Sequence, residues 1–137
     1  MIARNDYSRM LISNKKSRDY SHILRSNSQA ILTTAKTIIA DNPIMNIRQK
    51  NKKNKNIPII VIDKDLKIPI NCKIVKSAFY RNIIIFSSKK NNKYKKLISL
   101  GCKIYFIKKN KDNQYNLKMI KKKIDTLNIN NILVEAG

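Results

Sequence analysis

The sequence predicts a three-layer α/β fold, with a mostly parallel sheet between helices, from three observations. Two runs, IPIIVID and NIIIFSS, are continuously apolar and rich in β-branched residues, which is typical of strands covered on both faces, as parallel sheets require. Residues 82–136 alternate strand, helix, strand, helix, strand, and this order makes two right-handed crossover units. A chain of 137 residues is about one domain, so residues 1–137 are expected to share one core.

The first half of the chain predicts two helices and two strands. Apolar side chains recur at helical spacing within residues 15–25, and Asn14 precedes them as a candidate N-cap. AILTT is a short strand. AKTIIA is a helix of one to two turns that ends near Pro43, because the residue before a proline is driven out of the helical region. Residues 49–56, QKNKKNKN, predict a solvated loop that precedes the strand IPIIVID.

The second half predicts two further helices and three strands. Residues 63–75, DKDLKIPINCKIV, are interrupted by Pro69 and lack helical spacing, so we expect a loop or a minor extended piece before the strand NIIIFSS. Residues 91–100 keep their apolar side chains on one helical face, and Gly101 is a suitable stop. CKIYFIK is the next strand. Residues 115–128 form an amphipathic helix with lysines on its outer faces, and it leads into the last strand, NILVEAG.

The composition excludes several classes of site. His22 is the only histidine, which removes Ser–His and Cys–His nucleophiles and most metal clusters. Cys72 and Cys102 form no CxxC motif and are expected to be reduced core thiols. Gly101 and Gly137 are the only glycines, so the sequence contains no glycine-rich phosphate loop. Because no apolar run approaches the roughly 20 residues that span a bilayer and no signal peptide is visible, we expect a cytoplasmic protein without membrane contact.

The net charge of +22 has two explanations. Such a charge raises the expectation of a polyanionic partner, such as nucleic acid. Lysine, asparagine and isoleucine, which A/T-rich codons encode, are abundant together, so genome composition explains the charge equally well. The lysines are scattered over every element instead of converging with aromatic residues on one face, as nucleic-acid binding needs. This scatter argues against a basic nucleic-acid-binding protein, which we keep only as an alternative.

Three charged residues are candidate site residues by position. Glu135 lies at the carboxyl end of a predicted buried strand, where ligands bind in parallel sheets. Asp41 lies in the turn before Pro43, where it either caps the backbone or binds a ligand, and the two roles are compatible. Arg25 either complements the dipole at the end of its helix or faces a ligand, because a planar guanidinium binds phosphate and carbonyl oxygens bidentately.

Five landmarks then occur in order: an arginine that closes the first helix, the turn T-x-x-A-D-N-P, a second arginine, V-I-D and V-E-A-G. With the stretch RDYSHILRSNSQAILTTAKTIIADNPIMNIR, they resemble the reductase domain of bacterial riboflavin biosynthesis, 5-amino-6-(5-phosphoribosylamino)uracil reductase, over about residues 11–137. The resemblance implies a fold similar to dihydrofolate reductase. It also implies hydride transfer from NADPH to the ribose C1 of a phosphoribosylaminopyrimidine, which gives a ribityl chain.

The same resemblance implies two groups of site residues. The positions that match cofactor contacts are Thr37, Asp41 and Gly137. The positions that match the substrate side are Met45 and Arg48, and the resemblance strengthens a substrate-facing role for Arg25 as the partner of Arg48. Glu135, which is a candidate by its position in the strand, is assigned to the substrate side as well. Gly137 would be the first residue of a loop that wraps the NADPH pyrophosphate. No catalytic residue and no metal ligand is implied.

The sequence departs from the family pattern in several places. Leu11 stands where a tryptophan is common, Lys64 follows V-I-D where a small hydroxyl residue is usual, and Ser8 matches a substrate-contacting serine only if one residue is inserted. The family's first strand and everything after Gly137 are missing, so the chain is expected to be a partial domain and a poor reductase by itself. The motifs of the fused zinc deaminase domain, H-x-E and P-C-x-x-C, do not occur.

Two alternatives to a whole enzyme follow from these departures. One is a degenerate or split fragment of the reductase without catalytic activity, because an uncovered last strand would be an edge prone to pairing. The other is the basic nucleic-acid-binding protein. The expected partners of a reductase are its phosphoribosylaminopyrimidine substrate, a second copy of the chain, or a separately encoded deaminase.

Overall fold

The β-branched runs of the sequence form strands at the centre of the molecule, and the amphipathic segments form helices around them. The computed structural model describes residues 15–47, 56–109, 111 and 116–136. Its elements are α1 (Lys15–Ser26), β1 (Ala30–Thr34), α2 (Ala35–Asp41), β2 (Ile59–Ile62), α3 (Lys73–Lys76) with a 3₁₀ turn (Ser77–Phe79), β3 (Ile83–Ser87), α4 (Tyr94–Ser99), β4 (Lys103–Phe106), α5 (Leu117–Thr126) and β5 (Ile132–Val134).

The five strands form one parallel sheet in the order β4-β3-β2-β1-β5. Its register aligns Ile31 of β1 with Ile59 of β2, and Ile59 with Ile83 of β3. Every residue of β3 is buried, and so are the first three of β2. The continuous apolar runs therefore predicted the interior strands of a parallel sheet correctly.

Helices cover both faces of this sheet. On one face, α2, α3 and α4 contribute Ile38, Ile74 and Leu97 to the larger apolar core. On the opposite face, α5 contributes Ile120 and Ile124 to a second core. The chain steps from β1 to β4 in one direction along the first face and returns to β5 along the other, so every crossover has the same hand. The predicted three-layer parallel α/β class is confirmed.

Residues 73–76 correct the prediction of a loop or extended piece between the second and third strands. They form the short helix α3, in which Ile74 and Val75 are buried. The first backbone N–H of the helix, from Lys73, donates to the Asn42 side-chain oxygen at 2.9 Å. A four-residue helix cannot stabilise itself in isolation, so burial and a cap from a distant loop are what form it.

The helix predicted within residues 15–25 is present as α1, but its apolar side chains are not covered. Tyr20 is 60% exposed, and Ile23 is also exposed. Periodicity thus predicted the conformation of α1 but not the burial of its apolar face. The proposed N-cap, Asn14, lies outside the described residues, as does most of the predicted loop 49–56.

Gly101 ends α4 as predicted. Its φ of 103° is one that residues with a Cβ rarely adopt, and a Cβ there would lie 3.2 Å from the carbonyl oxygen of Ala78.

Cys72 and Cys102 are free and buried in the larger core, in agreement with the prediction of core thiols. Burial raises the pKa of the Cys72 thiol, and raises the pKa of Cys102 to about 11. No helix in the described part of the chain is long and apolar enough to cross a membrane.

Candidate functional site

The candidate site lies where the order of the sheet reverses. From β1 the chain proceeds to β2 on one side, whereas the last strand, β5, returns to the other side of β1. In open parallel sheets, ligands bind outside the carboxyl ends of the strands at such a point. Glu135 directly follows β5, and α2 begins directly after β1, so both carboxyl ends carry residues that the sequence singled out.

Arg25 and Glu135 form a bidentate ion pair at this edge. The Nε and Nη2 atoms of Arg25 donate to the two carboxylate oxygens of Glu135 at 2.6 and 2.9 Å. The two side chains are 17% and 24% exposed, so the pair is shielded from water yet still accessible. A planar guanidinium matched to a carboxylate in this way has a fixed orientation. The structure therefore brings together two of the residues assigned to the substrate side.

The backbone of Glu135 is held as firmly as its side chain. Its N–H donates to the carbonyl oxygen of Leu32 at 2.8 Å, which continues the pairing of β5 with β1. Its own carbonyl oxygen accepts from the hydroxyl of Thr33, which is fully buried, at 2.9 Å. Because β1 fixes the main chain on both sides of the residue, the carboxylate has little freedom to move away from Arg25.

A loop of residues 42–47, here called the 42–47 loop, forms the next wall of the site. The remaining described donor of Arg25, Nη1, binds the Asn46 carbonyl oxygen at 3.1 Å. Asn42 ends α2 with a left-handed φ of 44°, and its side-chain oxygen accepts from Lys73. Met45 also has a positive φ, 52°, and its side chain is only 4% exposed. The Met45 side chain packs in the larger core. The contact predicted between Met45 and substrate stays a prediction.

Thr37 and Asp41 lie one helical turn apart on α2, a spacing that places both on the same face. Thr34 caps this helix: its hydroxyl oxygen accepts from the Thr37 N–H at 3.3 Å and lies 3.2 Å from the Thr37 hydroxyl. Thr37 is half-buried, whereas Asp41 is exposed at the last position of α2. A hydroxyl and a carboxylate on one face can bind the hydroxyl or N–H groups of a polar ligand.

Two of the assigned residues, Arg48 and Gly137, lie outside the described part of the chain. The predicted pairing of Arg25 with Arg48 therefore stays a prediction. So does the role of Gly137 at the start of a pyrophosphate-binding loop.

Two residues that the sequence analysis did not assign to the site organise neighbouring loops. The buried carboxylate of Asp63, which ends the V-I-D landmark, accepts from the backbone N–H groups of Lys67 and Ile68 at 2.8 and 2.9 Å. It shapes the loop after β2. Arg81 is 8% exposed and donates to the carbonyl oxygens of Ile44 and Met45 in the 42–47 loop. The available signal was an arginine just before a buried strand, in a chain that otherwise favours lysine.

An apolar groove on the opposite face does not share this chemistry. It runs between α5 and the β1–β5 edge, and its lining includes Leu32, Ile120 and Val134. The charged groups at its rim, Lys121 and Asp125, pair with each other at 3.7 Å. Within the described residues, no group of three or more His, Cys, Asp and Glu side chains could hold a metal ion.

Comparison with known proteins gives a consistent set of matches. The model of the RibD C-terminal domain matches residues 1–137. The riboflavin biosynthesis protein RibD of Aquifex aeolicus (strain VF5) is 32% identical over 126 residues, which cover 92% of this chain and 33% of that protein. The 5-amino-6-(5-phosphoribosylamino)uracil reductase of Buchnera aphidicola subsp. Acyrthosiphon pisum (strain APS) is 25% identical over 137 residues, or 92% of this chain and 63% of that protein.

The fold also matches a solved structure from Thermotoga maritima, a diaminohydroxyphosphoribosylaminopyrimidine deaminase/5-amino-6-(5-phosphoribosylamino)uracil reductase. The TM-score is 0.72 at 19% sequence identity, and the match covers 99% of this chain and 35% of that one. At this identity the likeness shows a common fold, which supports the class similar to dihydrofolate reductase. The chain spans about one third of the length of the Aquifex relative.

Proposed function

Because the chain belongs to the RibD C-terminal domain family, whose model matches all of its residues, we propose that it is part of a riboflavin-biosynthesis reductase. The proposed reaction uses NADPH to convert the ribosyl group of 5-amino-6-(5-phosphoribosylamino)uracil into a ribityl chain. The names of the relatives support this choice of substrate. The structural observation that best supports this function is the bidentate ion pair of Arg25 and Glu135. It lies at the carboxyl end of β5, beside β1, where the strand order reverses.

The Arg25–Glu135 pair suits the pyrimidine end of this substrate. A pyrimidinedione with an amino substituent presents carbonyl acceptors next to N–H donors. The guanidinium of Arg25 supplies donors, and the carboxylate of Glu135 supplies acceptors a hydrogen bond away. In a partly water-excluded site, such paired contacts reject analogues that lack either group. The proposed role of the pair is therefore to bind and orient the pyrimidine.

The proposed cofactor contacts are Thr37 and Asp41, whose hydroxyl and carboxylate share one face of α2. They suit the ribose hydroxyls and the carboxamide of a nicotinamide nucleotide, and the strongly basic chain suits its phosphates. When bound, NADPH supplies a hydride to ribose C1 as the bond between C1 and the ring oxygen breaks and that oxygen takes a proton, so the sugar is reduced and the nicotinamide oxidised. The residues named here contribute orientation.

The partners that we propose are the substrate and a deaminase activity. The name of the Thermotoga protein includes both a deaminase and a reductase, which supports a deaminase encoded in the same or a separate chain. Residues 1–137 are proposed to be one portion of the reductase domain.

The test is NADPH oxidation by the full-length protein, with and without the phosphoribosylaminopyrimidine, and with mass spectrometry of the product. We expect oxidation that depends on the substrate, a product that has gained one hydride and one proton, and a loss of kcat/KM of about 10- to 100-fold in Arg25→Met. Lys121→Met, which changes an exposed residue of α5, is the matched control and should behave as wild type. Absence of substrate-dependent oxidation in the wild type would favour the non-catalytic alternative.

A further inference from the structure

Arg81 is a buried cation with neutral partners. Its Nε donates to the hydroxyl of Ser77 at 2.8 Å, its Nη1 to the carbonyl oxygen of Met45 at 3.1 Å, and its Nη2 to the carbonyl oxygen of Ile44. None of these described partners is a carboxylate. A buried charge is costly unless its hydrogen-bonding groups are satisfied, so the position requires partners that are held in place. Two of the three partners belong to the 42–47 loop.

The neighbouring carbonyl of the same loop is bound by the other guanidinium. Arg25 binds the oxygen of Asn46, so the three consecutive carbonyls of residues 44–46 are held by two arginines. Successive peptide planes are rigid and turn only about φ and ψ. The direction of the Asn46 carbonyl therefore depends on how the two carbonyls before it are held.

The backbone of this loop does not adopt its conformation readily without support. Met45 has a φ of 52°, a left-handed value that is unfavourable for a residue with a Cβ. Arg81 binds the carbonyl of that same residue. Burial lowers the pKa of Arg81; Tyr80 opposes this shift, and the positive charge of Arg25 adds to it.

We propose that Arg81 is a positioning residue for the substrate end of the site, because it holds the 42–47 loop in the conformation from which Asn46 orients Arg25 against Glu135. The contacts run from Arg81 through residues 44–46 to Arg25, and from Arg25 to Glu135. The proposal rests on the proposed function for its substrate. It does not place Arg81 in contact with substrate or cofactor.

Two variants and one control test this role in the full-length protein. Arg81→Met removes all three donors, and Arg81→Lys keeps the charge but offers one compact nitrogen that cannot span three acceptors. The matched control is Lys93→Met, because the Lys93 ammonium also binds two consecutive carbonyls, those of Lys67 and Ile68 at 3.2 and 3.4 Å, in a different loop.

The kinetic readout separates substrate positioning from a general loss of structure. We expect Arg81→Met to raise the KM for the phosphoribosylaminopyrimidine by about tenfold, with kcat within about threefold of wild type and the Kd for NADPH unchanged. Arg81→Lys should lie between Arg81→Met and wild type, and Lys93→Met should match wild type. An unchanged KM in Arg81→Met, or an equal rise in the control, would overturn the proposal.

A second readout needs no substrate, so it stands even if the proposed function fails. The Nε–H of Arg25 gives its own ¹⁵N–¹H resonance, identified by its loss in Arg25→Lys, and its bond to Glu135 should slow its exchange with water. We expect faster exchange in both Arg81 variants and no change in Lys93→Met. If Arg81→Met does not fold, Arg81→Lys decides the question. An Arg25 resonance unaltered in Arg81→Lys and in any folded Arg81→Met would contradict the proposal.

Discussion

Arg25 and Glu135 are separated by 110 positions in sequence, and two hydrogen bonds of 2.6 and 2.9 Å join their side chains. One residue lies near the end of α1 and the other directly after β5. The ion pair therefore links the first described helix, which lies outside the sheet, to the last described strand. That link places a donor and an acceptor side by side at the carboxyl edge of the sheet.

The first prediction concerns this pair as a unit. Arg25→Met and Glu135→Gln should each lower kcat/KM for the phosphoribosylaminopyrimidine by about 10- to 100-fold, because Arg25→Met removes the donors of the pair, whereas Glu135→Gln removes its negative charge and one of its two acceptors. The double variant should lose little more than either single variant. Steady-state kinetics on all four proteins measure the coupling. Losses that simply multiply would show that the two residues act independently.

The second prediction concerns the cofactor. Asp41→Ala should weaken NADPH binding by about tenfold, because a carboxylate that accepts a ligand hydroxyl contributes on the order of 1.5 kcal/mol. Fluorescence quenching titrations of the full-length protein give the Kd. Asp125→Ala on α5 is the control, since Asp125 is exposed and pairs only weakly with Lys121. Equal affinities for wild type and Asp41→Ala would remove Asp41 from the cofactor site.

The third prediction concerns the stability of the loop after β2. Asp63→Asn should lower the free energy of unfolding by about 2–4 kcal/mol, because the new amide N–H₂ faces a backbone N–H and loses a charge-assisted hydrogen bond in a buried position. In the structure both carboxylate oxygens accept from the backbone of this loop. Urea unfolding followed by circular dichroism measures the change. Asp125→Asn should cost less than about 0.5 kcal/mol, and a similar cost at Asp63 would contradict the assignment.

The fourth prediction concerns alkaline pH. Burial raises the pKa of the Cys102 thiol to about 11, above its ordinary value of 9.0. Below pH 9 the thiol is protonated in both the folded and unfolded states, so its contribution to stability is fully present. It is lost as the pH rises to 11, by about 2–3 kcal/mol, because the unfolded state ionises first.

The comparison with Cys102→Ala isolates this contribution from the titration of the lysines. Unfolding free energies measured between pH 8 and 11 should fall more steeply for the wild type than for the variant, whatever the variant's stability at neutral pH. Parallel curves would show that the thiol ionises equally in both states.

The fifth prediction concerns nucleic acid. Lys90 lies over the ring of Tyr94, and Lys123 over that of Tyr105, but the two tyrosines pack against the cores on opposite faces of the sheet. These pairs do not make one stacking surface. Binding to duplex DNA should therefore be weak, independent of sequence and steeply reduced by salt. Electrophoretic shifts at physiological salt test this, and tight, sequence-selective retention would favour the nucleic-acid alternative.

Local patterns in the sequence predicted the strands and most of the helices, because the burial of a strand and the backbone angles at the end of a helix restrict which residues can stand there. The β-branched runs of β2 and β3 could be recognised because a strand covered on both faces has no polar side to show. Gly101 could be recognised as a helix stop because few other residues adopt its φ. Glu135 could be recognised as a site candidate because an acid at the carboxyl end of a buried strand is rarely a surface residue.

The sequence by itself thus determined the order of the strands and of four of the five described α-helices, the parallel sheet and the edge of the sheet that carries the candidate site. Only the tertiary structure decided which groups meet there. The partner of Arg25, the role of Arg81 and the existence of α3 all depend on contacts between segments distant in sequence. Such contacts leave no periodic pattern, because a hydrogen bond depends on where the fold places its two atoms, whereas periodicity records only which side of one element faces the core.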